Sequence, residues 1–105
     1  MANISIDYDD TYTRDPELWN TFILSAKKRG HTVYCVTARS AVYTDQLLEV
    51  LETIGQLIGN SNCIFTDGKP KRPYCKANDI HIHIWIDDTP EAIPLECAHL
   101  FPDYD

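Results

Sequence analysis

Almost at its start the chain reads Ile4-Ser5-Ile6-Asp7-Tyr8-Asp9-Asp10-Thr11, a short apolar strand that runs directly into acidic residues. Strand residues two apart share a face, so we expect Asp7 and Asp9 to point toward one spot just beyond the end of this strand. In open α/β sheets that edge is where ligands bind. Because two close carboxylates repel each other, the pair needs either a hard divalent cation or a shared proton.

A second acidic pair, Asp87-Asp88, follows another apolar stretch over residues 80–86. Either pair alone is typical of an acidic turn between a strand and a helix. Two such pairs, each at the end of an apolar run, favour a functional site at one edge of a sheet.

The rest of the chain alternates between strand-like and helix-like patterns. Asp15-Pro16-Glu17 has the N-cap, the proline and the acidic first turn of a helix start, and Gly30 is suited to the end of that helix. Alternating strands and helices predict right-handed crossovers and a parallel, Rossmann-like sheet covered on both faces, which is a three-layer α/β sandwich. The further predicted elements are a strand over 31–37, a helix over 41–58, a strand over 63–66, a short helix over 73–78, a strand over 80–86, a brief helix over 90–93 and a candidate fifth strand over 97–101.

Length and composition limit the class of protein. The chain has 105 residues, and we treat residues 1–105 as a single domain. No apolar stretch approaches the roughly 20 residues that cross a bilayer, and the N-terminus has no signal-like segment, so we expect a cytoplasmic protein without a membrane partner. The cysteines form no C-x-x-C pair, which favours reduced thiols over disulfides or zinc ligands; they are Cys35, Cys63, Cys75 and Cys97.

The charge of the chain bears on its partners. The formal net charge is −7, and such an acidic protein is a poor binder of duplex nucleic acid. One basic segment, residues 69–72 with Lys76 after it, stands out from this acidic sequence. The run Lys27-Lys28-Arg29 lies at a predicted helix end, where it compensates the helix dipole.

Polar residues stand in a fixed order at the predicted strand ends. Acidic residues and Thr11 follow the first strand, Thr37 ends the second, lysines follow the third, and Asp87-Asp88 follows the fourth. With this ordered set, the chain from Ile4 to about Pro94 resembles the haloacid dehalogenase (HAD) superfamily, specifically its Mg²⁺-dependent phosphatases. Residues 84–91, Ile-Trp-Ile-Asp-Asp-Thr-Pro-Glu, are similar to the double-acid fourth motif of its deoxyribonucleotidase-like members.

The resemblance implies a role for each motif. Asp7 is expected to be the nucleophile that forms an aspartyl-phosphate, and Asp9 the general acid and base, with Mg²⁺ neutralising the phosphate. Thr37 is expected to donate its hydroxyl proton to a phosphoryl oxygen. As an isolated residue it would instead be assigned to capping the next helix or turn.

The lysine and the metal ligands complete the implied site. Lys76, just before the fourth strand, fits the double-acid branch, with Lys71 as the alternate; either would hold the nucleophile and the phosphoryl group together by charge. Asp88 is the better direct metal ligand and Asp87 an outer partner. The expected Mg²⁺ ligands are therefore Asp7, Asp87, Asp88 and the backbone carbonyl of Asp9.

Other residues are weaker candidates. Arg39, two residues after Thr37, either clamps a substrate anion or is simply solvated. Thr11 and Lys71 are further candidates for substrate contact. The alternation of His81 and His83 invites a metal interpretation, but within this strand the two histidines are expected to pack against a covering helix or lie at a wet edge.

Two departures from the family pattern predict an open site. Asp10 stands where the family usually has glycine, and Tyr12 where it has leucine. Only residues 10–14 separate the first strand from its helix, which is too short for the usual flap, and the connection after the third strand is too short for a cap domain.

The sequence therefore predicts a minimal, capless HAD-like phosphatase that hydrolyses a phosphomonoester with Mg²⁺. One alternative is a catalytically weak module that binds phosphate or metal. Another is a receiver-like phosphoacceptor, although receivers place their acidic pair first and the phosphoacceptor aspartate at the third strand. Without a lid, the protein is expected to act on a large phosphorylated partner or to form a homo-oligomer whose neighbour overhangs the pocket.

Overall fold

The order of elements alternates between strands and helices along the chain. The computed structural model describes residues 1–94. Its strands and helices are β1 (Asn3–Ile6), α1 (Pro16–Lys28), β2 (Thr32–Thr37), α2 (Thr44–Glu52), α3 (Gly55–Ile58), β3 (Cys63–Phe65), α4 (Lys71–Ala77) and β4 (Ile84–Ile86), with single 3₁₀ turns at Tyr12–Arg14, Asn60–Asn62 and Pro90–Ala92. The fifth strand predicted over 97–101 lies outside the described residues.

All four strands are parallel and follow the order β3-β2-β1-β4. Ile4 of β1 is in register with Val33 on one side and with Ile84 on the other. The carboxyl ends of β1, β2 and β4 therefore meet at one edge of the sheet, with β1 in the middle. The predicted parallel sheet is confirmed.

Side chains of the sheet alternate between two apolar layers. In β2, Val33 and Cys35 belong to the larger core, which α1 and α3 cover with Ile23 and Ile58. Val36, on the other face of β2, belongs to a smaller cluster. That cluster contains Cys75 of α4, Ile82, and the partly buried Tyr34, Ile64, Ile80 and Trp85. Helices on both faces make this the predicted three-layer sandwich.

Helix α1 follows its sequence signals. The Asp15 carboxylate accepts a hydrogen bond from the Leu18 N–H at 3.2 Å, and Pro16 occupies the first turn. Ile23 and Ala26 are buried against the sheet. After the helix, Gly30 has φ of 90°, a left-handed conformation that glycine adopts without steric cost.

The long helix predicted over 41–58 is instead two helices, which is a correction. The Thr53 hydroxyl lies 2.6 Å from the Glu49 carbonyl and 3.2 Å from that of Val50, where it competes with the helical backbone bonds. Helix α2 therefore ends at Glu52, and α3 begins at Gly55.

The last two predicted elements also shift. Helix α4 begins at Lys71, two residues before the expected start. It ends in a turn where Asp79 has φ of 62° and the Ile80 N–H donates to the Cys75 carbonyl at 2.8 Å. Residues 80–83 therefore form a connection, and β4 has three residues rather than seven.

The connections at the carboxyl edge are short. Only a turn and one 3₁₀ turn separate β1 from α1, and residues 66–70 link β3 to α4. Residues 1–94 accordingly contain no cap domain. Within the same residues, no helix has both the length and the apolar character needed to span a membrane.

Candidate functional site

Asp7 lies at the carboxyl end of the central strand. Its backbone N–H donates to the carbonyl of Ile86 at 2.9 Å, so the pairing of β1 with β4 continues one residue past Ile6. This bond places Asp7 beside Asp87, the first residue after β4. The Asp7 side chain is only 9% exposed. A buried carboxylate requires a charged or hydrogen-bonding partner.

Lys71 is that partner. Its Nζ lies 2.7 Å from Asp7 Oδ1 and 2.5 Å from Asp87 Oδ2, and its side chain is 3% exposed. Burial alone lowers the pKa of Lys71, but the hydrogen bonds and charges of Asp7 and Asp87 outweigh it and raise the pKa. Lys71 therefore carries a positive charge between two acidic groups.

The choice of Lys76 as the site lysine is corrected. Because α4 begins at Lys71, that residue stands at the start of the helix against Asp7. Lys76 lies five residues further on, about 140° around the helix at 3.6 residues per turn, and is exposed. It lines a different cavity, of about 300 Å³, together with Arg72 and Trp85.

Thr11 ties the two acidic segments together. Its Oγ1 lies 3.2 Å from Asp88 Oδ1 and 3.4 Å from Asp7 Oδ2, and it accepts a hydrogen bond from the Asp88 N–H at 3.1 Å. The Trp19 indole N–H donates to the Thr11 carbonyl at 3.0 Å and fixes the turn. Thr11, expected to contact substrate, is thus engaged in holding Asp7 and Asp88 side by side.

Three carboxylates form one acidic cluster. Single oxygen atoms of Asp7, Asp87 and Asp88 all lie within 4.8 Å of one another. Burial, and to a lesser degree the charge of Asp87, raises the pKa of Asp7 to about 6, although Lys71 opposes the shift. For Asp88, hydrogen bonds from Asp7 and Thr11 outweigh desolvation and lower the pKa. One ammonium does not neutralise three carboxylates, so a proton or a cation is favoured here.

The donor set suits a hard divalent cation. Asp87 is occupied by Lys71 and by the Thr89 N–H, which donates to its Oδ1 at 2.9 Å. Asp88 is exposed and, with Asp7, offers carboxylate oxygens at the mouth of the site. Oxygen ligands of this kind are those that Mg²⁺ prefers, with water completing its shell.

Asp9 does not join this cluster. Strand β1 ends at Ile6, and the chain then turns, with the Tyr12 N–H donating to the Asp7 carbonyl at 3.1 Å. The two-residue alternation of a strand therefore does not extend to Asp9, and the expectation that its carboxylate shares a face with Asp7 was wrong. Its side chain is 54% exposed and faces Arg39.

Arg39 is paired with acidic side chains and is not free in solvent. Its Nε and Nη2 donate to Asp9 Oδ2 and Oδ1 at 3.0 and 2.9 Å, a two-pronged pair. Its Nη1 donates to the Gln46 carbonyl at 3.0 Å and to Glu49 Oε1 at 3.1 Å. The guanidinium also lies over the Tyr8 ring, 4.9 Å from its centroid. The expectation of a simply solvated Arg39 was wrong, and its contact with a substrate anion stays a prediction.

Thr37 ends β2 at the same edge of the sheet. It is 1% exposed, and its hydroxyl oxygen accepts a hydrogen bond from the Arg39 N–H at 3.3 Å. No hydrogen bond joins Thr37 to Asp7 or Lys71 in residues 1–94. Its contact with a phosphoryl oxygen stays a prediction.

Two residues near the site were not predicted from the sequence. Tyr8, only 2% exposed, lies with its hydroxyl 3.1 Å from Glu49 Oε2 and 3.0 Å from Thr53 Oγ1. The sequence signal for Tyr8 was its position between Asp7 and Asp9. Glu49 lies on an amphipathic helix beside the buried Val50, and nothing in the pattern separates it from other exposed acids of α2.

A cavity of about 350 Å³ adjoins this second group. It is lined by Asp9, Arg39, Asp45, Gln46 and Glu49. Its volume is at the lower end of the range for small-molecule sites, but its lining is polar and mostly charged, and Asp9 is part of that lining.

Comparisons with protein-family models, curated proteins and solved structures found no match to this chain. The likeness to the HAD superfamily therefore stays a prediction from the motifs.

Proposed function

We propose that this protein is a Mg²⁺-dependent phosphomonoester hydrolase that acts through an aspartyl-phosphate on Asp7. The observation that carries the proposal is the pairing of Lys71 with Asp7 and Asp87 at the carboxyl edge of the parallel sheet. A carboxylate attacks a phosphate only when the repulsion between the two anions is relieved. A buried ammonium at 2.7 Å from the attacking group supplies part of that relief.

The proposed reaction has two displacements. An oxygen of Asp7 forms a bond to phosphorus, and the ester oxygen leaves with its bonding electrons and takes a proton from Asp9. Water then gives a proton to Asp9 and attacks the same phosphorus, which releases phosphate and restores both carboxyl groups. Lys71 stays beside Asp7 in both steps and balances the charge of the phosphoryl group.

Asp7 and Asp88 would hold the Mg²⁺, and Asp87 would remain paired with Lys71. The bound cation supplies the positive charge that one lysine lacks against three carboxylates and a phosphate. The role of the Asp9 carbonyl as a further ligand is part of the same proposal.

The open edge supports a second candidate, a module that binds phosphate or metal without turnover. The connections around the site are short, so nothing in residues 1–94 closes over Asp7. Sustained turnover separates the hydrolase from this module. A long-lived phosphorylated protein would instead favour the receiver-like phosphoacceptor.

The proposed substrate is a phosphorylated compound rather than duplex nucleic acid, because the net charge of −7 opposes a polyanion. A cytoplasmic setting, where Mg²⁺ and phosphate esters are both present, belongs to the same proposal.

A panel of phosphomonoesters, assayed with and without Mg²⁺, tests the function. We expect phosphate release that requires Mg²⁺, and we expect Asp7→Asn to retain less than about 1% of it, because the amide lacks the attacking charge. Asp79→Asn is the matched control, since Asp79 is exposed, lies before β4 and has a left-handed backbone that asparagine tolerates. Turnover in Asp7→Asn similar to that of the control would refute the assignment.

A further inference from the structure

A continuous polar chain links α2 to Asp9. Both carboxylate oxygens of Glu49 are engaged: Oε1 accepts from Arg39 at 3.1 Å, and Oε2 accepts from the Tyr8 hydroxyl at 3.1 Å. The other edge of Arg39 donates twice to Asp9. Glu49 is therefore one residue removed from the carboxylate proposed as general acid.

We propose that Glu49 is a positioning residue, which through Arg39 holds the Asp9 carboxylate at the side of the cavity where a leaving group is protonated. This inference rests on the proposed hydrolase function. Glu49 itself touches no reacting atom; it acts by restricting the position of the Asp9 carboxylate.

The exposures of the side chains explain why Asp9 needs such support. Asp9 and Glu49 are 54% and 50% exposed, whereas Arg39 between them is 15% exposed. An exposed carboxylate in a turn samples several rotamers, and a planar guanidinium that binds both of its oxygens restricts it to one. Arg39 is thus the fixed member of the pair.

Helix α2 fixes Arg39 in turn. Gln46 accepts one hydrogen bond through its carbonyl and Glu49 another through its side chain, and both come from this helix. The Tyr8 ring supports the flat face of the guanidinium. The hydrogen bonds of Asp9, with those of Glu49, also raise the pKa of Arg39, so it stays charged throughout the pH range of catalysis. Of these contacts, the one to Glu49 comes from a half-exposed side chain, so a side-chain change can remove it; the same change alters one of the partners of the Tyr8 hydroxyl.

Two esters with different leaving groups provide the test. Protonation of the leaving oxygen matters for an alkyl phosphate and little for an activated aryl phosphate. We expect Glu49→Gln to lower kcat for the alkyl ester by about tenfold or more, since small misplacements of a catalytic group have effects of that size, while kcat for the aryl ester changes by less than about threefold. KM should stay within about twofold for both esters, because Arg39 is not assigned to the substrate.

The matched control is Glu52→Gln, an exposed acid on the same helix, which should leave both rates unchanged. Glu49→Asp is a second variant, because the shorter side chain keeps the charge but draws the carboxylate back toward α2, away from Arg39 and Tyr8. Melting temperatures identify any variant that is misfolded at the assay temperature.

The Arg39 Nε–H signal in nitrogen-edited NMR spectra gives a readout that does not depend on turnover. This proton is hydrogen-bonded to Asp9 Oδ2, so we expect it to be shifted and slowly exchanging in the wild type and in Glu52→Gln, and to lose both properties in Glu49→Gln. If the wild type hydrolysed no ester, the proposed function would fail, and this signal would still decide whether Glu49 fixes the Arg39–Asp9 pair.

Three results would overturn the inference. An Arg39 signal that is the same in Glu49→Gln and Glu52→Gln would show that Glu49 does not hold the guanidinium. Equal losses of kcat on the two esters would remove the link to leaving-group protonation. A rise of KM on both esters with unchanged kcat would assign Arg39 to substrate binding instead.

Discussion

The buried ammonium of Lys71 pairs with two carboxylates of this site. Lys71 has two carboxylates within 2.7 Å and almost no solvent, so each of the three charges depends on the others. Removing one member of such a group leaves an uncompensated buried charge, whereas removing an exposed charge usually changes stability little.

Substitution of the two candidate lysines tests this difference. We expect Lys71→Met to lower the free energy of unfolding at pH 7 by about 3 kcal/mol or more, because Asp7 and Asp87 lose their shared partner. The matched change Lys76→Met, on the exposed face of the same helix, should cost about 1 kcal/mol or less. Chemical denaturation in metal-free buffer measures both values, and similar losses for the two variants would contradict the pairing seen at Asp7.

The pH dependence of stability reports on Asp7. Its pKa is about 6 in the folded protein against 3.8 ordinarily, so between these values the folded state binds the proton more tightly than the unfolded state. The Asp7 contribution to stability is therefore full below about pH 4 and is lost as the pH rises through 6.

Comparison with Asp7→Asn isolates that contribution. In buffer with a metal chelator, the wild type should lose stability relative to Asp7→Asn between about pH 4 and pH 7, by at most about 3 kcal/mol. Denaturation midpoints of the two proteins at several pH values measure the difference. Curves that stay parallel across this range would mean that Asp7 titrates normally.

Residue patterns predicted which strand ends carry the acidic cluster but not which atoms of the site meet. Asp7, Asp87 and Asp88 follow apolar strands, and the parallel order brings them together. The lysine depended on where α4 begins, and a proline at position 73 suggested a start two residues too late. The direction of Asp9 depended on the turn after Ile6, which alternation does not describe.

At the scale of elements, the turn after β1 requires a left-handed backbone conformation at one residue. Asp10 has φ of 63°, a left-handed conformation that costs most residues energy and costs glycine little. Aspartate is among the non-glycine residues that tolerate this conformation.

Two substitutions at this position separate backbone from side-chain effects. We expect Asp10→Gly to change the free energy of unfolding by less than about 0.5 kcal/mol, and Asp10→Ala to lower it by about 1 kcal/mol, because alanine keeps the Cβ and lacks the local hydrogen bonding of aspartate. Thermal denaturation measures both. An alanine variant as stable as the glycine variant would show that the turn relaxes.

The break between α2 and α3 could not be predicted from the spacing of apolar residues. The apolar spacing over 41–58 continues through the break, so the pattern predicts one helix. The competition comes from the Thr53 hydroxyl and its carbonyl acceptors, and such local hydrogen bonds do not alter the apolar period. By contrast, α1 was predictable because its cap, its proline and its terminal glycine agree.

At the scale of the whole molecule, the order β3-β2-β1-β4 places Asp7 at an edge that the short connections of residues 1–94 leave uncovered. A hydrolase with such a site needs another surface to exclude water from the reaction. A second copy of the chain or a large substrate can provide it.

Solution mass and substrate size together test this requirement. We expect either a homo-oligomer or a monomer that prefers large phosphorylated partners over small esters by about tenfold or more in kcat/KM. Light scattering at assay concentration and the ester panel measure the two quantities. A monomer that works efficiently only on small metabolites would contradict both branches.

The pairing of β1 with β4 joins residues about 80 positions apart, Ile4 with Ile84. A pairing of such long sequence separation forms slowly, because a large loop must close before the contact is gained. On the ribosome, Asp7 emerges well before Lys71 and the second acidic pair. Asp7 therefore gains Asp87 and Asp88 as neighbours only after β4 has been synthesised, and a chain interrupted before β4 would carry Asp7 without them.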